Sequence, residues 1–130
     1  AEWIVADALK ALLDCYNLPG VAIRTIHFKP FSGSLQGKLI HGVQFHYTDY
    51  EAACCTLTQF YVMQAVNELY PEKNPFALSK GRNNMFDKVC GTDYVRTTFG
   101  KRLKVEDIAD YWSKDVEAFR TLSRKYWLYN

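Results

Sequence analysis

With 130 residues, 48% of them hydrophobic, and 15% of the chain aromatic, there is enough apolar material for one packed core, and the low charged fraction of 23% excludes a disordered chain. Sixteen basic against fourteen acidic residues leave a net charge of +2, too small for a nucleic-acid surface; apart from a short Arg120, Arg124, Lys125 group the basic residues are scattered. No run approaches the ~20 apolar residues of a membrane span, and Ala1 leads directly into the amphipathic AEWIVADALKALL without an initiator Met or signal peptide, as a piece of a longer polypeptide would.

Val5, Ala8, Leu9, Leu12 and Leu13 recur at helical spacing opposite Asp7, Lys10 and Asp14, which predicts a helix over residues 4–16. Asn17-Leu18-Pro19-Gly20 ends it, because proline removes a ladder donor and glycine permits the turn. A strand is predicted over 21–28, closed by Lys29-Pro30, and the FSGSLQGKL that follows has the serines and glycines of a loop.

Residues 42–49, GVQFHYTD, read as a second strand. Val43, Phe45 and Tyr47 alternate with Gln44, His46 and Thr48, so one face is apolar and the other carries hydrogen-bonding groups. A polar ligand needs such a face, and an ordinary half-solvated antiparallel sheet also shows one. Thr48-Asp49-Tyr50-Glu51 has the pattern of a capping box, which predicts a central helix over 51–70, ended by Pro71, with Leu57, Phe60, Val62, Met63, Val66 and Leu69 in the core.

Residues 72–84 contain Pro75, Gly81 and paired asparagines and read as loop. A short helix over 84–89 should close at Gly91, and Thr92 should cap another over 93–99, closed by Gly100. Val105, Ile108, Ala109, Trp112, Val116, Phe119 and Leu122 trace one stripe, which predicts a last long helix over 105–124. The fold class expected is α+β, a small sheet packed against several helices in a single domain.

Few groups here suit chemistry. Cys15, Cys54, Cys55 and Cys90 lack zinc-site spacing and read as buried free thiols, with a Cys15 to Cys90 disulfide as an open alternative. His27, His41 and His46 invite a metal site, but parity places His41 and His46 on opposite faces of their strand, so three-histidine ligation is not expected. A Cys/His nucleophile is disfavoured because Cys54 and Cys55 belong to a helix that packs. No P-loop, Rossmann or G-x-S-x-G fingerprint is present, and no cofactor is expected. The carboxylates lie on polar helix faces or at caps, and no facing pair of the kind that cleaves glycosides stands out. The residues therefore suit binding better than bond breaking.

The order of motifs resembles the C-terminal domain of the exo-acting peptidoglycan β-N-acetylmuramidase (NamZ-like) family. Trp3-Ile4 resembles its helix entry and Leu18-Pro19-Gly20-Val21 its LPGV. Arg24, Phe28, Pro30 and Gly37 match single positions, and Gly42-Val43-Gln44, His46 and Thr48-Asp49 match its GVQ-x-H-x-TD. Leu69-Tyr70-Pro71, Phe86-Asp87, Gly91-Thr92-Asp93, Trp112, Phe119, Arg124, Tyr126, Leu128 and Tyr129 carry the resemblance to the end, while Ile40 and Lys29 stand where the family has Cys and Thr.

The resemblance implies a secreted or periplasmic two-domain hydrolase that removes terminal N-acetylmuramic acid. A Rossmann-like N-terminal domain would precede this chain and carry the catalytic carboxylates, with a cleft between the two domains. The chain itself is then an accessory wall, inactive alone, whose partners are that domain and a muropeptide or muramyl-sugar ligand. Gln44, His46 and Arg24 are the candidate substrate contacts, Arg24 because a guanidinium pairs well with a carboxylate; no residue is a catalytic candidate. A noncatalytic glycan-binding or structural interaction module is the alternative.

Overall fold

A computed structural model describes residues 1–79 and 81–129. The expected α+β class is observed, and the chain divides into two compact units, Ala1–Lys80 and Gly81–Asn130. In the first unit the order is α1 (Ala6–Cys15), β1 (Val21–Phe28), β2 (Ile40–Tyr47), α2 (Cys55–Leu69) and α3 (Pro75–Leu78). β1 and β2 form a two-stranded antiparallel sheet in which Val21 faces Tyr47, Arg24 faces Gln44 and Phe28 faces Ile40.

Period-2 geometry puts Ile23, Val43 and Phe45 on one face of this hairpin, where they pack with Leu12, Val62, Val66 and Leu69 around buried Leu9, Leu13 and Ala65. The predicted apolar face of GVQFHYTD is thus the core face. The entry to α1 is held from α2, because the Val5 N–H donates to Tyr70 Oη at 2.8 Å and the Trp3 and Tyr70 rings meet edge to face with centroids 5.2 Å apart.

Gly20 joins strand to helix. Its φ of +65° is open to glycine, and its carbonyl accepts from the N–H groups of Thr48 (2.8 Å) and Asp49 (3.3 Å), so the turn before β1 is tied to the end of β2. The predicted capping box does not form. Asp49 Oδ1 accepts from the N–H groups of Glu51 (3.0 Å) and Ala52 (3.1 Å), closing a local turn, and α2 begins only at Cys55 after the non-helical Cys54 (ψ 76°). Asp49 spends its carboxylate on that turn rather than on the helix. Within α2 only Thr58, Phe60 and Ala65 are fully buried; Leu57, Val62, Met63, Val66 and Leu69 are half-buried.

Tyr16, at the end of α1, packs against Tyr61 and receives a hydrogen bond from Gln64 Nε2 at 3.4 Å. Burial, then the nearby Glu68 charge, pushes its phenol up to about 12 from an ordinary 10. Between those values the folded chain holds a proton that the unfolded chain has released, so stability present below pH 10 is lost as pH rises toward 12. The urea midpoint should therefore fall between pH 9.5 and about 11.5, and Tyr16→Phe should flatten that fall; an unchanged slope in the variant would refute the assignment.

The second unit holds α4 (Asn83–Cys90), α5 (Tyr94–Arg102), α6 (Ala109–Ser113) and α7 (Val116–Ser123), around Val95, Phe99, Leu103, Val105 and Ile108, each no more than 3% exposed. As predicted, α4 ends at a left-handed Gly91 (φ 73°). α5 runs past Gly100 and ends at Leu103 (φ 53°). A fork joins the two helices: Arg96 Nε and Nη2 donate to Asp87 Oδ1 and Oδ2 at 2.8 and 2.9 Å.

The predicted last long helix is broken into a 3₁₀ turn at Val105–Asp107, then α6 and α7. Ser113 Oγ donates back to the carbonyls of Ala109 (3.0 Å) and Asp110 (3.4 Å), and the chain leaves helical geometry at Asp115 (φ −111°, ψ 6°). Val105 and Ile108 reach the core, whereas Val116, Phe119 and Leu122, of the same sequence stripe, stand exposed. The predicted 72–84 loop holds a 3₁₀ turn, α3 and the first residues of α4; α3 is capped by Asn74 Oδ1, which accepts from Phe76 N and Ala77 N, and residue 80 lies outside the described residues. The thiols correct another expectation. All four are free, but Cys15, Cys54 and Cys55 are exposed and Cys90 is half-buried.

Candidate functional site

The outer face of the hairpin carries all three sequence candidates. In an antiparallel ladder directly opposed residues share a face, so Ala22, Arg24, Ile26 and Phe28 of β1 lie with His46, Gln44, Gly42 and Ile40 of β2. Arg24 faces Gln44, and His46 is the next residue along β2 on that face, opposite Ala22. The sequence could not decide whether Arg24 shares a face with His46, because parity within one strand says nothing about its pairing; the register decides it.

Arg24 Nε donates to Gln44 Oε1 at 2.7 Å. This bond uses the one donor set back from the end of the guanidinium and leaves the Nη1/Nη2 edge, one of the two edges that can grip a carboxylate in parallel hydrogen bonds, without a partner among the described residues. Arg24 and His46 are exposed and Gln44 is half-buried, so an exposed arginine is held by a partly buried neighbour. Gly42 adds an open floor beside them, since a Cβ built there would meet nothing within 4 Å. Ile26, Ile40 and Phe28 form an apolar border on the same face.

Neither strand contains an Asp or Glu. No carboxylate on this face competes for Arg24, and none stands ready as a general acid or nucleophile, so the arrangement can bind an anion and orient it but cannot supply the paired carboxylates of glycoside cleavage. Thr48 lies just past the end of β2, where its backbone N–H donates to the Gly20 carbonyl. Among the described residues no group of three or more His, Cys, Asp and Glu could hold a metal ion, and no helix is long and apolar enough to cross a membrane.

On the inner face the register produces a pair that sequence reasoning missed. His27 and His41 are direct partners with Nδ1 atoms 2.7 Å apart. The available signal was symmetry: both histidines lie seven residues from the middle of the connecting loop, at position 34.

The family model described as "Exo-beta-N-acetylmuramidase NamZ, C-terminal" matches residues 1–129. The peptidoglycan β-N-acetylmuramidase NamZ of Bacillus subtilis (strain 168) is 34% identical over 129 residues, which are 99% of this chain and 30% of that protein. The crystal structure of a DUF1343 family protein from Bacteroides fragilis NCTC 9343 superimposes with a TM-score of 0.95 at 44% identity, over 100% of this chain and 34% of that one. The chain thus spans about a third of the length of these relatives.

Proposed function

The chain belongs to the family of NamZ C-terminal domains, and from that premise we propose that it forms one wall of the substrate cleft of a longer peptidoglycan-directed glycoside hydrolase, an exo-acting β-N-acetylmuramidase. The observation that carries the reading is the Arg24–Gln44 bond of 2.7 Å, which leaves a guanidinium edge open on a face free of acids. N-acetylmuramic acid differs from N-acetylglucosamine by a lactyl carboxylate, and that group is the natural partner for Arg24. His46, two residues along, is placed to bond a sugar hydroxyl, and Gln44 both orients Arg24 and offers its own amide N–H.

On this reading the catalytic carboxylates belong to a preceding domain, which is the chain's main partner, and the enzyme works outside the cytoplasm, secreted or periplasmic, where its polymer is. Cleavage of p-nitrophenyl β-N-acetylmuramide by the longer polypeptide tests it. Arg24→Ala should raise KM about 10- to 100-fold with a smaller change in kcat, the range expected when a hydrogen-bonded charge is lost. Gln44→Ala should have a weaker effect in the same direction, and the 130-residue chain alone should not cleave. Cleavage by the isolated chain, or an unaltered KM in Arg24→Ala, would overturn the proposal. A longer polypeptide that binds muramyl sugars without cleaving them would instead identify a glycan-binding module.

A further inference from the structure

The His27–His41 pair lies on the hairpin face opposite Arg24 and His46, at the end of the ladder beside the 29–39 loop. Ala1 and His41 exchange backbone hydrogen bonds, Ala1 N to His41 O at 2.8 Å and His41 N to Ala1 O at 3.2 Å. The peptide groups of His41 therefore point away from β1. That makes His27–His41 a non-hydrogen-bonded pair, the closer of the two antiparallel spacings. The imidazoles consequently meet edge to face, with centroids 4.9 Å apart and Nδ1 atoms at 2.7 Å.

One shared proton accounts for that contact, and it leaves both Nε2 atoms without a partner among the described residues. His27 is exposed and His41 half-buried, so the hydrogen bond between them competes with water and contributes little to the fold.

We propose that His27 and His41 form a two-imidazole chelate for a first-row divalent cation of octahedral or tetragonal preference, Ni²⁺ or Cu²⁺. With metal–nitrogen bonds of about 2.0–2.1 Å, nitrogens 2.7 Å apart subtend about 80° at the ion, close to the cis angle of those geometries. Tetrahedral Zn²⁺ would need the nitrogens about 3.3 Å apart, farther than the 2.7 Å at which they stand. Mg²⁺ and Ca²⁺ prefer oxygen ligands, which this pair does not supply. On binding, the donor ring gives up its Nδ1 proton and takes one at Nε2 through water. The hydrogen bond between the rings is given up, each ring turns so that its Nδ1 lone pair points at the ion lying to one side of the pair, and water fills the remaining positions. The ion would clip the ends of β1 and β2 together at the base of the loop.

Calorimetric titration with Ni²⁺ tests this, using chain whose thiols are alkylated and whose α-amine is acetylated, so that neither competes. We expect one Ni²⁺ per chain, with affinity about tenfold or more weaker in His27→Ala and in His41→Ala, equivalent to at least about 1.4 kcal/mol, and unchanged in His46→Ala. Cu²⁺ should bind more tightly than Ni²⁺ or Zn²⁺, and its paramagnetic broadening should reach the imidazole signals of His27 and His41 before that of His46. Equal affinity in the His27→Ala, His41→Ala double variant, or first broadening at His46, would overturn the proposal. Circular dichroism of each variant keeps loss of the site distinct from loss of the fold.

Discussion

Gly20→Ala is expected to lower the stability of the first unit by about 3 kcal/mol. Two costs combine. A residue with a Cβ at φ +65° gives up about 1–2 kcal/mol to left-handed backbone, and the new Cβ would lie 2.3 Å from the carbonyl oxygen of Asp49 and 3.2 Å from Ala53 N. Both of those atoms are backbone, so no side chain can swing away. Relief requires moving the segment that hangs from Gly20 O, and overpacking of this kind costs about 1–3 kcal/mol more. Gly33→Ala separates the two costs. It has the same sign of φ (+87°) but nothing within 4 Å of the new Cβ, so only the conformational cost of about 1–2 kcal/mol remains. Urea unfolding of both variants measures the difference, and equal midpoints would show that the Asp49 contact carries no energy.

In the second unit the largest expected effect is Phe99→Ala. Phe99 is fully buried, as are Val95 and Ile108, and truncating a buried Phe costs about 3–5 kcal/mol. A unit of about fifty residues has little more than that to lose, since cores of this size rarely supply over about 3–5 kcal/mol. Loss of near-UV circular dichroism from Tyr94, Tyr111 and Trp112 is therefore expected at room temperature, whereas Phe99→Leu, which keeps most of the volume, should cost under about 1.5 kcal/mol. A cooperative, near-native unfolding curve for Phe99→Ala would refute this account of the core.

What the sequence made legible follows from how local each determinant is. β1 was read to the residue because Pro19-Gly20 and Lys29-Pro30 punctuate both of its ends, and the stop of α4 because Gly91 alone suits the left-handed turn there. The start of α2 was misread, since the Thr48–Glu51 pattern fits equally a capping box and the tight Asp49 turn that forms. The last helix was misread because hydrophobic spacing survives a backbone break: Ile108 and Phe119 share a stripe in sequence but are 0% and 68% exposed. The candidate face was half legible. Gln44 and His46 follow from alternation within one strand, but their company with Arg24, like the meeting of His27 with His41, depends on a register that pairs residues up to 26 apart.

The alternation that places His41 in a non-hydrogen-bonded pair has a consequence for backbone motion. If His41 turns its peptide groups away from β1, then Ala22, Arg24, Ile26 and Phe28 exchange ladder bonds with His46, Gln44, Gly42 and Ile40. Those are the residues whose side chains form the candidate face. Their amides are sealed between the strands, while the amides of Ile23, Thr25, Val43 and Phe45 look out over the two rims. In amide-exchange lifetimes the hairpin thus separates into a slow set and a fast set, one behind each face. The candidate face hangs from the slow set, so amide exchange behind it should be slower than along the rims.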